Sequence, residues 1–260
     1  LKFMHPSAMG PVFFILEKNG ELGPNSTDDY DAEADDSDAY YLAMVTKAGD
    51  IKVSPLVGYV QVGDASGGAA PETLESEGAD ITMMFIDVGF DGAFGAIGFS
   101  AEVAYQAWDQ KFTGGESYSL FGAFADVWTN VDAFKVGGIV AYGSFDDDVQ
   151  TGFGFGEDFC PTIGGADAFT VGDSSKSEYN AVTFVQLYGG YALSDAMDLS
   201  AAVAYWMSNS KDNAWEDANG MELDLWYTWK IMDNVKWQAG LGTGQINLDE
   251  DAAGYDDADA

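Results

Sequence analysis

The sequence predicts an all-β chain in which about eleven antiparallel strands run up and down, each pairing with the next. Three observations carry this. Apolar residues alternate with polar or small ones along extended segments. Short turns built on an aspartate recur at spacings of 41, 41, 63 and 38 residues, the longest connection stretching the third. The segments between these hairpins are long and acidic, so the two ends of the repeat differ.

Composition agrees with that class. The chain has 260 residues with 14% aromatics, 32 Gly and only 6 Pro, a mixture that suits many strands joined by turns. The length allows one large β domain or two ordinary ones, and the repeat along the chain predicts a single domain over 1–260. Acidic residues number 44 against 10 basic ones, every one of them Lys, for a formal charge of −34. Nucleic acid is thereby excluded as an expected partner, because phosphate binding needs clustered cations. The lone Cys160 excludes an internal disulfide framework, and His5 is the single histidine. No run reaches the ~18 to 20 apolar residues of a membrane-spanning helix, and no leader pattern opens the chain.

Taken in order, strands are expected at 11–17, 39–47, 51–62, 79–88, 94–108, 117–129, 134–144, 179–193, 198–208, 221–231 and 235–248. The segment 221–231 shows the pattern most clearly. Its odd positions are Met221, Leu223, Leu225, Tyr227, Trp229 and Ile231, against Glu222, Asp224, Trp226, Thr228 and Lys230. In 97–108 the same parity collects Ile97, Phe99, Val103 and Tyr105. Short turns are expected at Gly49-Asp50, Phe90-Asp91-Gly92, Val131-Asp132-Ala133, Ser194-Asp195-Ala196 and Met232-Asp233-Asn234. Long connections are expected at 18–38, 63–78, 109–116, 145–178 and 209–220, and they hold most of the acid.

Strands of this length, with one apolar face and with tight turns at one end and long polar loops at the other, are the signature of a transmembrane barrel. Trp108, Trp128, Trp206, Trp215, Trp226, Trp229 and Trp237 fall mostly near strand ends, where an interfacial girdle is expected. Such barrels close with an even number of strands. Eleven strands therefore imply a further closing strand, and more strands are expected before Leu1, so the barrel is expected to be incomplete at both ends.

Two phrases carry a family resemblance. Tyr191-Ala192-Leu193-Ser194-Asp195-Ala196-Met197-Asp198-Leu199 and Trp229-Lys230-Ile231-Met232-Asp233-Asn234-Val235-Lys236-Trp237 each run from an aromatic strand end through an Asp turn into a new strand. In this the chain resembles the Gram-negative outer-membrane porins. The resemblance implies a β-barrel diffusion channel in the cell outer membrane, passive passage of small hydrophilic solutes and ions, a bilayer as surroundings, and often a homotrimer. The arginine cluster that many general porins place at their constriction is absent.

The residues expected to line a pore follow from alternation. They are Glu102, Asp126, Glu222, Asp224 and Lys230, with Lys52, Lys135 and Lys236 near the turn ends. Charge on a pore wall biases permeation, and the acidic excess points to cation preference. The connection 145–178 is the longest, and it carries its own hydrophobic residues, which marks a loop that packs on something. Phe153, Phe155, Glu157 and Asp158 are its candidates for a constriction, with an outer cap or a subunit contact as the alternatives.

No catalytic constellation is found: His5 is isolated, and Gly152-Phe153-Gly154-Phe155-Gly156 is not followed by a helix pattern as a nucleotide loop would be. No enzyme activity, cofactor or metal is expected. The acidic run from Asp28 to Asp36 lacks the Gly and terminal Glu of a defined calcium loop, so diffuse counterions are the expected company of these carboxylates. The competing reading is a secreted or surface acidic β-structural protein of a halophilic organism, without a pore. The two differ over whether the apolar faces meet lipid or a second sheet.

Overall fold

The computed structural model describes residues 1–21, 36–62, 80–111, 115–149, 151–155, 179–211 and 216–247. Among them the chain is all strand and turn. The strands are β1 (Lys2–Ser7), β2 (Gly10–Glu21), β3 (Asp36–Met44), β4 (Thr46–Ala48), β5 (Ile51–Val62), β6 (Asp80–Phe94), β7 (Ile97–Lys111), β8 (Tyr118–Val131) and β9 (Phe134–Gly143). After four two-residue strands, β10 (Phe145–Asp146), β11 (Thr151–Gly152), β12 (Gly154–Phe155) and β13 (Tyr179–Asn180), come β14 (Val182–Ser194), β15 (Met197–Ser208), β16 (Asn219–Met232) and β17 (Val235–Asn247).

One 13-stranded sheet runs β1-β2-β3-β5-β6-β7-β8-β9-β14-β15-β16-β17, with β4 also on β5. Neighbours in the sheet are neighbours in the chain, apart from the short strands set aside between β9 and β14, so the expected up-and-down antiparallel arrangement is the one observed. The sheet has thirteen strands where eleven are expected from the sequence. The additional ones are β1, whose Pro6 and short length hide its alternation, and β4, split from β3 at Val45. Gly10, at φ 127°, lets the chain pass against the Val45 carbonyl, where any Cβ would collide.

The turn expected at Phe90-Asp91-Gly92 lies instead at Gly95-Ala96. A two-residue hairpin wants a left-handed first residue, and Gly95 supplies φ 63° without a Cβ penalty. Asp91 stays within β6 and accepts a hydrogen bond from Ser100 Oγ at 3.1 Å. The turns at Gly49-Asp50, Asp132-Ala133, Asp195-Ala196 and Asp233-Asn234 fall where expected. The last two share a register shift just before the turn, at Leu193 and at Ile231.

Contacts divide the chain into two compact units, Leu1–Phe90 with Ala104–Ser119, and Asp91–Val103 with Leu120–Ala260. In the first, Ala39 is buried while Tyr40 and Leu42 are exposed on the opposite face of β3. Tyr40 pairs directly with Tyr59 across β5. On the other face Phe85 lies over Gly58 and beside Tyr41. β1 is exposed along nearly its whole length.

In the second unit β14, β15 and β16 alternate in burial toward their long-loop ends, inverted with respect to a soluble sheet, while β17 is exposed on both faces. On β16, Leu223 and Leu225 are 49% and 44% exposed, whereas Glu222 and Asp224 between them are 3% and 0% exposed. The same inversion holds on β14, where Val185 and Leu187 are exposed beside buried Phe184 and Gln186, and on β15, where Val203 and Tyr205 are exposed beside buried Ala202, Ala204 and Trp206.

The buried, polar face is filled by aromatics lying over glycines of the adjacent strand. Trp206 covers Gly220, Trp226 covers Gly240, Tyr188 covers Gly137 and Trp128 covers Gly98. A ring on one strand occupies the space that the glycine opposite leaves empty. Trp128, Trp206 and Trp226 therefore belong to this face and not to the expected girdle. Trp229 and Trp237, paired across β16 and β17 near the turn, remain on the exposed apolar face.

Candidate functional site

The polar face of β8, β9, β14, β15 and β16 can be read as rows of residues in register. One row is Asp126, Ile139, Gln186, Ala204 and Glu222, and the next toward the turns is Trp128, Gly137, Tyr188, Ala202 and Asp224. A third is Asn130, Lys135, Gly190, Ser200 and Trp226. Alternation places every one of these side chains on the same face, because each pairing is antiparallel and unshifted over this stretch.

A concavity of about 630 Å³ opens on this face. Its walls include Asp126, Lys135, Tyr188, Asp198 and Trp226, with Gly190 and Ser200 in its floor. Gly190 differs from the covered glycines: a Cβ there would meet nothing closer than 3.9 Å. The wall is held by one aromatic residue making two contacts. Tyr188 Oη donates to Asp126 Oδ1 at 2.8 Å, and its ring lies beneath Lys135 Nζ, 5.3 Å from the centroid. The Trp128 ring lies 5.2 Å from the same ammonium. Such a wall can hydrogen-bond, stack and bind charge of either sign.

Of the residues singled out in the sequence, Asp126, Glu222, Asp224 and Lys135 share this face in the second unit. Glu102 is half-buried on β7, opposite in parity to exposed Val103. Lys230 and Lys236 pair directly across β16 and β17 beside their turn, both exposed, and Lys230 also forms an ion pair with Asp233 at 3.2 Å. Lys52 is exposed and faces Lys47 across β4 and β5, next to the Gly49-Asp50 turn of the first unit. No group of three or more metal-ligating side chains forms among the described residues.

Phe153 is buried, with its ring over Gly122 on the face of β8 that carries Asp126. Its backbone bridges the residues that follow β9 and precede β14, the N–H donating to the Ser144 carbonyl and the carbonyl accepting from the Ala181 N–H. The backbone of Phe155 lies in β12. Glu157, Asp158, Cys160, Trp215 and the acidic run 28–35 lie outside the described residues. On the same side Asn209 ties three strands together, donating to Gly143 O at 2.7 Å and accepting from Thr183 Oγ1 at 3.0 Å. Lys211 and Asp147 form an ion pair there.

Sequence reasoning misses Gln186, Tyr188, Ser200 and Trp226 as members of the site because none is ionic in its own strand pattern. The available signal is registration: once each hairpin is aligned on its Asp turn, these residues fall into the rows of Asp126 and Asp224.

No protein-family model matches the chain, and no curated protein matches it. Among solved structures it is similar to OmpT, an outer-membrane protein of Vibrio cholerae, at 14% identity and a TM-score of 0.46, over 93% of this chain and 68% of that one. A loop L8 deletion mutant of the same protein aligns at 13% identity and TM-score 0.45, covering 93% and 72%. OccK9 of Pseudomonas aeruginosa aligns at 12% identity and TM-score 0.45, covering 92% and 71%.

Proposed function

We propose that this chain forms the wall of a transmembrane β-barrel in the outer membrane, a passive channel for small hydrophilic solutes and ions with a preference for cations. One observation carries the reading: on β14, β15 and β16 the sheet exposes Val185, Leu187, Val203, Leu223 and Leu225 and shields Glu222 and Asp224. In water the reverse is expected, since apolar burial drives folding and buried unpaired charge opposes it. Facing hydrocarbon, an exposed Leu223, Leu225, Val203 or Leu187 is at no disadvantage.

The polar face then borders an aqueous path. Asp126, Glu222, Asp224 and Glu102 supply negative charge along it, and Lys135, Lys230 and Lys236 stand nearer the short turns. The channel operates without catalysis, cofactor or nucleic-acid partner, and a homotrimer within the bilayer is part of the proposal. Phe153, seated on the wall at Gly122, supports a constricting role for the segment that begins at Phe145, with Phe155, Glu157 and Asp158 beyond the anchor.

Insertion of the purified full chain into planar bilayers, together with swelling of vesicles loaded with sugars of graded size, tests the reading. Discrete conductance steps and a size cut-off are the expected result. Membranes that stay sealed while the protein is folded within them would falsify it.

A further inference from the structure

Between β14 and β16 the polar face of β15 is a floor of two methyl groups, Ala202 and Ala204, both buried. Gln186 stands on one side of it, in the row of Ala204 and Glu222. Asp224 stands on the other, opposite Ala202. Asp224 is fully buried, and neither of its carboxylate oxygens has a hydrogen-bond partner. Gln186 is 5% exposed, and its Oε1 is equally unpartnered. On the far side of β16, Asp224 and Glu222 are met in register by Gly242 and Gly244, which bring no donor side chain.

An ionised carboxylate held out of water without a partner is strongly disfavoured, and across β15 the amide oxygen of Gln186 is a second acceptor without a donor. Both are oxygen acceptors. Toward the long loops the floor is closed by Phe184 and Trp206, which are buried in the next row. Toward the turns the concavity reaches Gln186, Ala202 and Trp226. The ligands are hard oxygens, and among the described residues no three acids converge as a multivalent metal would need.

We propose that Asp224 and Gln186 form a site for a singly charged cation, an alkali ion or a primary ammonium group, seated over Ala202 and Ala204. The inference rests on the channel reading only for what the site does there: it would give cations a resting place within the path. The binding itself rests on the two buried, unpartnered acceptors.

The test is binding to the full chain refolded in detergent, read by sodium-23 line broadening during a sodium titration, with N-methylglucamine chloride holding ionic strength constant. Saturable broadening is expected. Asp224→Asn should weaken it by at least about tenfold, because the charge is the dominant attraction, and Gln186→Leu by a smaller factor. Asp195→Asn, which removes one charge at an exposed turn, should leave the titration in place.

Competition separates the two sources. Displacement by potassium marks an inorganic ion and displacement by methylammonium marks an amine, and either supports the site. Displacement by neither, absence of saturation, or equal binding by wild type, Asp224→Asn and Gln186→Leu overturns it. Should Asp224→Asn not fold, the Gln186→Leu variant and the wild-type competition still decide. A chain that conducts but does not bind sodium removes this site and leaves the channel, whereas one that binds sodium but never conducts removes the channel and leaves the site.

Discussion

Tyr188 Oη on β14 reaches across β9 to donate a 2.8 Å hydrogen bond to Asp126 on β8, and its ring crosses directly over Gly137 on the way. The bond depends on the glycine. A Cβ at Gly137 would lie 2.5 Å from the ring. Gly137→Val should therefore displace the tyrosine, break the bond and cost roughly 1 to 3 kcal/mol through overpacking. Tyr188→Phe keeps the ring and removes only the hydroxyl, so about 1 to 2 kcal/mol is expected for a hydrogen bond to a carboxylate. Urea titrations of folding into lipid vesicles measure both, and a Gly137→Val protein as stable as wild type would contradict the proposed dependence.

The glycines of the polar face should divide into two classes by what lies over them. Gly220 is roofed by Trp206, with ring atoms 2.5 Å from the position of a Cβ, while over Gly190 the nearest atoms are 3.9 Å away. Gly220→Ala should lose roughly 1 to 3 kcal/mol. Gly190→Ala should be neutral or slightly stabilising, since alanine narrows the unfolded ensemble. Paired thermal or urea melts check the contrast, and equal losses at the two positions would mean that the rings do not sit where the structure places them.

Much of the fold is legible in the sequence because the strands alternate without interruption and four of the five aspartate turns lie where the alternation breaks. Phe90-Asp91-Gly92 misleads because Asp and Gly are turn residues in general. The hairpin is decided by Gly95, which alone in that stretch adopts a positive φ. β1 escapes because its six residues are too few to display a period. Charge identifies Asp126, Glu222 and Asp224 as members of the polar face, but the site is assembled by cross-strand partners. Tyr188 over Gly137 and Trp226 over Gly240 are relationships between strands, and one strand read alone holds only half of each.

The exposed apolar face makes a claim about stability in a bilayer. Leu225 lies near the middle of β16 and pairs with Ala201 and Leu241. Ser200, one residue away in the pairing, faces the concavity. Leu225→Lys should cost roughly 2 to 4 kcal/mol if that face meets hydrocarbon at the midplane, whereas Ser200→Lys, which directs its ammonium into the concavity, should cost much less. Folding equilibria in vesicles of defined lipid provide the numbers. Equal penalties would mean that the leucine face does not contact lipid.

Selectivity is the property most directly tied to the carboxylates. Glu222 and Asp224 are the acids shielded most deeply on the polar face of β16, and no arginine anywhere in the chain opposes them. Their field should raise the local concentration of cations in the proposed path. At an ionic strength of about 0.1 M exposed charges are screened beyond ~10 Å, so the many acids of the long connections should act strongly in dilute salt and weakly in concentrated salt. Charges embedded in the wall are screened less, and their share of the preference should persist as salt rises. Reversal potentials across a potassium chloride gradient, measured at low and high salt, separate the two contributions. The wild type should favour potassium at both, and the Glu222→Gln, Asp224→Asn double variant should keep the low-salt preference while losing most of the high-salt part. Anion preference at low salt would sink the assignment, and a double variant identical to wild type at high salt would move the selectivity away from β16.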